Sequence, residues 1–243
     1  MVNRYVLAAI TLAVLSVGSY VFWFAYRLNL DFAQDPTVWG TFGDYVGGTI
    51  NPVLSFLSLI FLIRSVTLQI DANHDLRKEL KENEKNEQVK AVTTLFFSMI
   101  NSQREMFSSF KISTDGVEKY TYATAAVIHL EDKVEELREA NEADDKVSMY
   151  LEKEDANEQI FGILRSFYIT VQVICERLSD ERGFDNSIRR EFLRTLINFT
   201  EFAQLRLVVM AMQFTSYPAS NYLRSNADFV AVMNDVGFAL DPY

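Results

Sequence analysis

The stretch "WGTFGDYVGGTINPVLSFLSLIFLIR", Trp39–Arg64, opens an apolar run with residues that such runs seldom contain. A carboxylate at Asp44, paired glycines and an Asn-Pro step come first, and no charge follows until Arg64. At about 1.5 Å per residue, the uncharged part from Tyr45 is long enough to cover most of a ~30 Å hydrocarbon layer. The sequence therefore predicts a membrane span at about residues 45–64.

A second uncharged run, residues 5–26, lies closer to the N-terminus. A signal peptide is the alternative interpretation, but its apolar core would be only ~7–15 residues long. This run is longer and ends in aromatic residues, which suit the interface of a retained helix. We expect residues 1–66 to form a two-helix transmembrane hairpin with spans at about 5–26 and 45–64.

Charge is distributed unevenly along the 243 residues, whose formal net charge is −10. Residues 1–70 are mostly apolar and residues 71–160 are densely charged, as in a membrane anchor followed by a soluble domain. The acidic balance argues against direct nucleic-acid binding, which needs a basic face. Cys175 is the only cysteine, so an intrachain disulfide is excluded and a reducing compartment is expected for the soluble part.

The positive-inside rule gives the expected orientation. The linker at residues 27–44 carries one arginine against three aspartates. Basic residues lie on the other sides of the spans: Arg4, Arg64, Arg77, Lys78, Lys81 and Lys85. We expect a two-pass protein of a bacterial inner membrane, with both termini in the cytoplasm and membrane lipid as its surroundings.

Small and polar residues recur along one side of the predicted second helix, at spacings of three and four: Gly40, Gly43, Gly47, Asn51, Ser55 and Ser58. Membrane helices associate through small residues that let their backbones approach, and Gly43–Gly47 is a literal GxxxG. The first span offers a matching row of Ala9, Ala13, Ser16 and Ser19, whereas Leu54, Leu57, Ile60 and Phe61 are expected to face lipid. The residues assigned to helix packing or assembly are Gly43, Gly47, Gly48, Asn51, Pro52 and Ser55.

Three interpretations of this face remain open. The two spans could pack on each other within one chain, or several chains could assemble through the glycine side as a homo-oligomer. Alternatively, Asn51-Pro52 could start a helix, since Asn caps well and Pro suits the first turn, which would leave residues 45–50 irregular. Asp44 is solvated if it lies at the outer interface, and is a candidate functional carboxylate if it is drawn into the membrane.

The remaining chain predicts an all-α protein. Residues 67–90 are expected to form a charged helical connector that continues the second span, because no turn signal occurs before Ser113–Gly116. Residues 91–243 are expected to form a cytoplasmic α-helical bundle without strands. Its expected helices are roughly Val117–Ala143, Ala156–Leu178, Ser187–Thr215 and Ala227–Val236.

Residues 131–158 hold twelve acidic against four basic residues. A solvated face is one interpretation. The other is a docking surface for a basic partner, such as a reverse transcriptase–nucleic acid complex. The residues assigned to that surface are Glu131, Asp132, Glu135, Glu136 and Glu139.

The sequence contains no recognisable catalytic pattern. His74 and His129 belong to no metal-binding pair, and no P-loop, GxSxG motif or Cys/His cluster occurs. We therefore expect no enzyme, no metal and no cofactor.

The residues from Trp39 to Gln69 resemble the opening signature of the phage abortive infection proteins of the AbiC-like group. The matching positions are Trp39, Gly40, Phe42, Gly43, Asp44, Tyr45, Gly47, Gly48, Asn51, Pro52 and Ser55. A weaker similarity covers Phe192–Met212. The chain is also similar in size and layout to two-transmembrane effectors of retron anti-phage systems. The resemblance implies two N-terminal spans and a role in antiviral defence by arrest or death of the infected cell.

Two functions follow as expectations. The first is a membrane-embedded toxic effector that disrupts the inner membrane when it is released from inhibition. The second is a membrane-anchored module that only localises a cytoplasmic defence partner. A membrane-bound nuclease using scattered carboxylates is a third and weaker interpretation.

Overall fold

A computed structural model describes residues 2–28, 34–114 and 119–243 of the chain. These residues belong to two compact units, Met1–Asn83 and Glu84–Tyr243. The division falls inside the segment 67–90, which was expected to be a connector. Both units are almost entirely helical, as the sequence predicts.

The N-terminal unit consists of helix α1 (Val2–Val21), a π-helical segment (Phe22–Arg27) and most of helix α2 (Pro36–Ser108). The Asp35 carboxylate caps α2 by accepting the backbone N–H of Thr37 at 2.9 Å, and Pro36 takes the first turn, where its missing N–H is tolerated. This bond holds the pKa of Asp35 below its ordinary value.

Helix α2 confirms that the apolar run continues as one helix past Arg64. The helix also includes residues 36–44, the second half of the segment described as a linker. Of the three interpretations of the small-residue face, it contradicts the one in which a helix starts at Asn51-Pro52, since residues 45–50 are helical rather than irregular. Pro52 lies inside the helix because a single proline removes only one backbone hydrogen bond, which a long helix tolerates.

Two described helices are long and apolar enough to cross a membrane, judged by length and composition. One comprises Val6–Arg27 and the other is α2, and each contains a window of mean hydropathy 2.0. Only 6% of the first window and none of the second is buried. Both apolar surfaces therefore lie largely outside the core of the protein, unlike the core helices of soluble proteins.

The C-terminal unit begins with the end of α2 and a two-stranded antiparallel sheet, β1 (Lys111–Thr114) and β2 (Lys119–Tyr122). Seven helices follow: α3 (Ala123–Glu139), α4 (Asp144–Glu154), α5 (Gln159–Arg177), α6 (Asn186–Phe199), α7 (Phe202–Phe214), α8 (Pro218–Ser225) and α9 (Ala227–Asp235). A short 3-10 turn, Asp180–Arg182, lies between α5 and α6.

Helix α7 occupies the centre of this unit. Ten of its thirteen residues are buried, and α3, α4, α5 and α8 pack against it. The largest fully buried side chains of the surrounding core include Phe107, Phe110, Phe167 and Phe229. The end of α2 carries an apolar stripe at helical spacing, and its residues Val92, Phe96, Ile100 and Phe107 are buried in this core.

The elements of this unit differ from the sequence predictions in four places, the first being helix α4, which lies between two predicted helices. The strands were not expected, and residues 119–122 of the helix predicted from Val117 form β2, whereas Val117 itself lies outside the described residues. The helix predicted at Ser187–Thr215 is two helices, because Thr200 is extended and its hydroxyl donates to the carbonyl of Leu196 at 2.7 Å. Pro218 starts α8, a helix that lies between the last two predicted helices.

Candidate functional site

The small residues of α2 form an open face. Around Gly40, Gly43 and Gly48, no described atom other than those of the adjacent residues and of the backbone of the same helix lies within 4 Å of the position that a Cβ would occupy. At Gly47 the nearest group is Asn51 Nδ2 of the same helix, at 3.7 Å. The other residues assigned to packing, Asn51, Pro52 and Ser55, are exposed. The structure thus keeps these residues on one helix but brings no other described part of the chain against the glycines.

Helix α1 meets α2 through a different side. The Tyr20 ring lies 4.8 Å from the Phe42 ring and 5.3 Å from the Tyr45 ring, and Ser19 Oγ lies 3.5 Å from the Tyr45 hydroxyl. The less exposed positions of α1 recur at spacings of three and four, at Ala9, Ala13, Ser16 and Tyr20. Those of α2 are Phe42, Val46, Ile50, Val53, Leu57, Ile60 and Phe61. Gly47 is also half-buried, but it lies on the glycine side of the helix, where its nearest neighbour is Asn51 of α2 itself.

The less exposed sides of the two helices differ in composition. On α1 this side holds Ala9, Ala13 and Ser16 of the predicted small-residue row. On α2 it is made mostly of large apolar residues and includes Leu57 and Ile60, which we had expected to face lipid. Small side chains are needed on only one partner, because the bulky side chains of the other then fill the space.

Asp44 lies exposed on α2, twenty residues before Arg64. At a rise of about 1.5 Å per residue, the two charges are about 30 Å apart along the helix, which is the thickness of a hydrocarbon layer. The spacing favours the interpretation that Asp44 is solvated at one interface while Arg64 reaches the other.

The acidic residues on α3 have different roles. Glu131 is mostly buried, where its carboxylate pairs with Arg206 Nη1 at 3.0 Å and accepts the Tyr243 hydroxyl at 2.6 Å. Glu136 pairs with Lys133 within one turn. Asp132, Glu135 and Glu139 lie exposed at spacings of three and four. Glu131 therefore joins α3 to α7 and to Tyr243, which leaves its carboxylate less accessible to a partner than those of the other assigned residues.

A buried polar network of the C-terminal unit was missed by the sequence analysis. Arg189 of α6 is 8% exposed and bonds Asp228 of α9 at 2.9 Å, Asp180 at 3.0 Å and the carbonyl of Leu178 at 3.0 Å. Burial raises the pKa of Asp228, but hydrogen bonds from Arg189 and Arg190 outweigh it and hold that pKa below its ordinary value. No sequence motif marks the network, because its members come from three elements.

Within residues 2–28, 34–114 and 119–243, no group of three or more His, Cys, Asp or Glu residues could hold a metal ion. Burial raises the pKa of the Cys175 thiol, which makes this cysteine a poor nucleophile. The side chain accepts a hydrogen bond from Asn226 and packs against the core.

No family model, curated protein or solved structure matches the chain. The similarity of Trp39–Gln69 to the AbiC-like group therefore stays a prediction. Fold and site together define an all-helical chain with two candidate membrane helices, one of which has an open face of small residues.

Proposed function

We propose that the chain is a two-pass protein of the bacterial inner membrane and that α1 and α2 form a transmembrane hairpin. Three observations support this proposal. The two apolar windows are almost entirely unburied, aromatic contacts join the end of α1 to the start of α2, and Asp44 and Arg64 bracket a segment of membrane thickness. Both termini would face the cytoplasm, where basic residues are retained.

In this membrane the protein acts as a toxic effector of an anti-phage system of the abortive infection or retron type. The observation that carries the proposal is the open glycine face of α2, which α1 leaves free. The resemblance of Trp39–Gln69 to the AbiC-like group supplies the biological setting. Release from inhibition lets the glycine faces of several chains meet, and the rearranged helices breach the membrane.

The mechanism needs only a two-state packing of helices. Small residues allow close backbone contact in one state and leave the helices apart in the other. A partner shifts the equilibrium by binding one of the two states better. The C-terminal unit, which has a core of its own, is the part of the chain that such a partner would bind.

To test this function, the chain is expressed alone in bacteria and the membrane potential is followed with a potential-sensitive dye. We expect depolarisation and growth arrest. Gly47→Leu should abolish both while the protein still inserts, because a leucine there fits within one chain but blocks close contact with another helix. Gly18→Leu on α1 is the matched control: it also lies in open surroundings, but on the side of α1 opposite the row that meets α2. Equal toxicity of the two variants would contradict the assembly mechanism.

The second candidate is a membrane-anchored module that localises a partner. The exposed acidic row of Asp132, Glu135 and Glu139 favours it, because a basic partner such as a reverse transcriptase–nucleic acid complex could bind there. This function predicts that the chain alone leaves the potential unchanged. It also predicts that reversing the three charges abolishes defence, whereas changing Gly47 does not.

Topology is tested separately in a Cys175→Ala background. A cysteine at Thr37 should react with an impermeant maleimide in intact spheroplasts, whereas one at Lys78 should react only after lysis. The reverse pattern would refute the orientation.

A further inference from the structure

The open face of α2 continues beyond the apolar run into the polar part of the helix. Continuing the spacings of three and four from Ser58, it passes through Leu62, Val66, Gln69, Asn73, Leu76, Leu80 and Asn83. All seven residues are exposed, and Leu76 and Leu80 are 53% and 52% exposed. We call the residues from Gly40 to Asn83 on this side the α2 seam.

Charged residues avoid the seam. Eight of them lie between Arg64 and Glu82, and none occupies a seam position: Arg64, Asp71, Asp75, Arg77, Lys78, Glu79, Lys81 and Glu82. A connecting helix that is solvated on all sides has no reason to keep one side free of charge. The next position of the series, Glu87, is charged, so the seam ends near Asn83.

The composition of the seam changes where the apolar run ends. From Gly40 to Ser58 the seam is made of glycine, serine and asparagine, which associate in lipid because they permit close approach. From Leu62 onward it combines four leucine or valine residues with three amides, and parallel helices that pair in water likewise combine apolar seam positions with polar ones such as asparagine. One interface passing from lipid into water requires this change.

We propose that the α2 seam pairs with the seam of a second copy of this chain, in parallel and in register, from the membrane into the connector. The proposal deepens the assembly described above and rests on it. Two α2 helices crossing one membrane in the same direction are necessarily parallel. In a two-fold pair, each seam residue faces its own copy.

The amides support a second copy as the occupant. Gln69, Asn73 and Asn83 each carry both donors and acceptors, so identical residues can bond each other across the pair. In the single chain, Asn73 Nδ2 instead turns back to the carbonyl of Gln69 at 2.9 Å. A polar residue at a single seam position is known to fix register and chain number in parallel pairs.

Disulfide cross-linking of the full chain in membranes tests the seam. Starting from Cys175→Ala, a cysteine replaces Asn73 or Leu80 on the seam, or Asp71 or Lys78 on the opposite side of the helix. A disulfide requires Cβ atoms about 3.5–4.5 Å apart, whereas helices about 10 Å wide keep opposite sides well beyond that distance. We expect a cross-linked dimer from the two seam variants and loss of that product in the two controls.

Equal rates of cross-linking at all four positions would overturn the seam, since they would reflect collision only. Absence of cross-linking at every position would overturn it as well. The dye assay distinguishes a failure of the α2 seam from a failure of the proposed function. Depolarisation by a chain that fails to cross-link would refute the seam alone, whereas cross-linking without depolarisation would refute the effector function alone.

Discussion

Arg189 offers a sharp test of the C-terminal unit because the chain contains its own control. Arg189 and Arg194 both lie on α6 and both pair with an aspartate of α9. The Arg189 side chain is 9% exposed and its partner Asp228 is 18% exposed. For Arg194 and Asp235 the values are 53% and 54%, at an N–O distance of 3.3 Å. The two pairs therefore differ in burial and in the number of acceptors that the arginine binds.

The cost of Arg189→Ala follows from the groups it leaves behind. The buried carbonyl of Leu178 loses its donor, at a cost of about 1–3 kcal/mol. Asp228 loses one of two charged hydrogen bonds, at a cost of about 1.5–3 kcal/mol. Asp180 is 73% exposed and adds little. Since Arg190 and water compensate in part, we expect Arg189→Ala to lower the free energy of unfolding by ~3 kcal/mol in total. For Arg194→Ala we expect a loss of only ~0–1 kcal/mol.

Pulse proteolysis of the full chain in detergent and urea measures both variants through the urea midpoint of the C-terminal unit. With a slope of about 2 kcal/mol per molar urea, Arg189→Ala should lower the midpoint by about 1.5 M and Arg194→Ala by less than about 0.5 M. Arg189→Lys should fall between them, because a lysine cannot reach three acceptors in fixed geometry. Equal midpoints for the two alanine variants would refute the structural role of the network.

Three further predictions use the same unit. Asp155 accepts two backbone N–H groups of α5 at 2.7 and 2.9 Å, so Asp155→Ala should cost about 1 kcal/mol in the urea assay and Asp155→Asn less. Burial raises the pKa of Asp155 above its ordinary value of 3.8. Because the folded state then holds this proton more tightly, the contribution of Asp155 to the free energy of unfolding should fall as the pH rises from 3.8 through the raised pKa. Asp155→Asn should lack this pH dependence. Glu131→Gln should cost about 2 kcal/mol because its pairs are largely buried, whereas exposed Glu135→Gln should be nearly neutral. Burial raises the pKa of Tyr222 from 10 to about 12. The free energy of unfolding should therefore fall as the pH rises from 10 to about 12, and Tyr222→Phe should reduce this fall.

Much of the fold could be predicted because its signals are local. Uninterrupted apolar runs, the absence of a turn signal after Arg64 and the apolar stripe at Val92–Phe107 each depend on neighbours within a few turns. These signals gave the two candidate membrane helices, the length of α2 and an all-helical C-terminal unit. The strands were missed because four residues each are too short to display an alternating pattern.

The candidate site was predicted less well, because its contacts join distant parts of the chain. The pattern identified the small-residue rows of α1 and α2 but could not tell which row meets which. Glu131 looked like its acidic neighbours on α3, although Arg206 and Tyr243 hold it in the folded unit. Composition describes a helix face, whereas the partner of that face depends on the tertiary structure.

The glycines of α2 need an explanation from outside the single chain. Each glycine within a helix costs about 1 kcal/mol relative to alanine, so Gly40, Gly43, Gly47 and Gly48 together cost about 4 kcal/mol. Contact with α1 does not offset this, because α1 meets the larger residues of α2. Lipid tails offer no compensation either, since they contact leucine as well as glycine. A second helix that approaches closely along this face would recover the cost, and it is the occupant that we propose for the α2 seam.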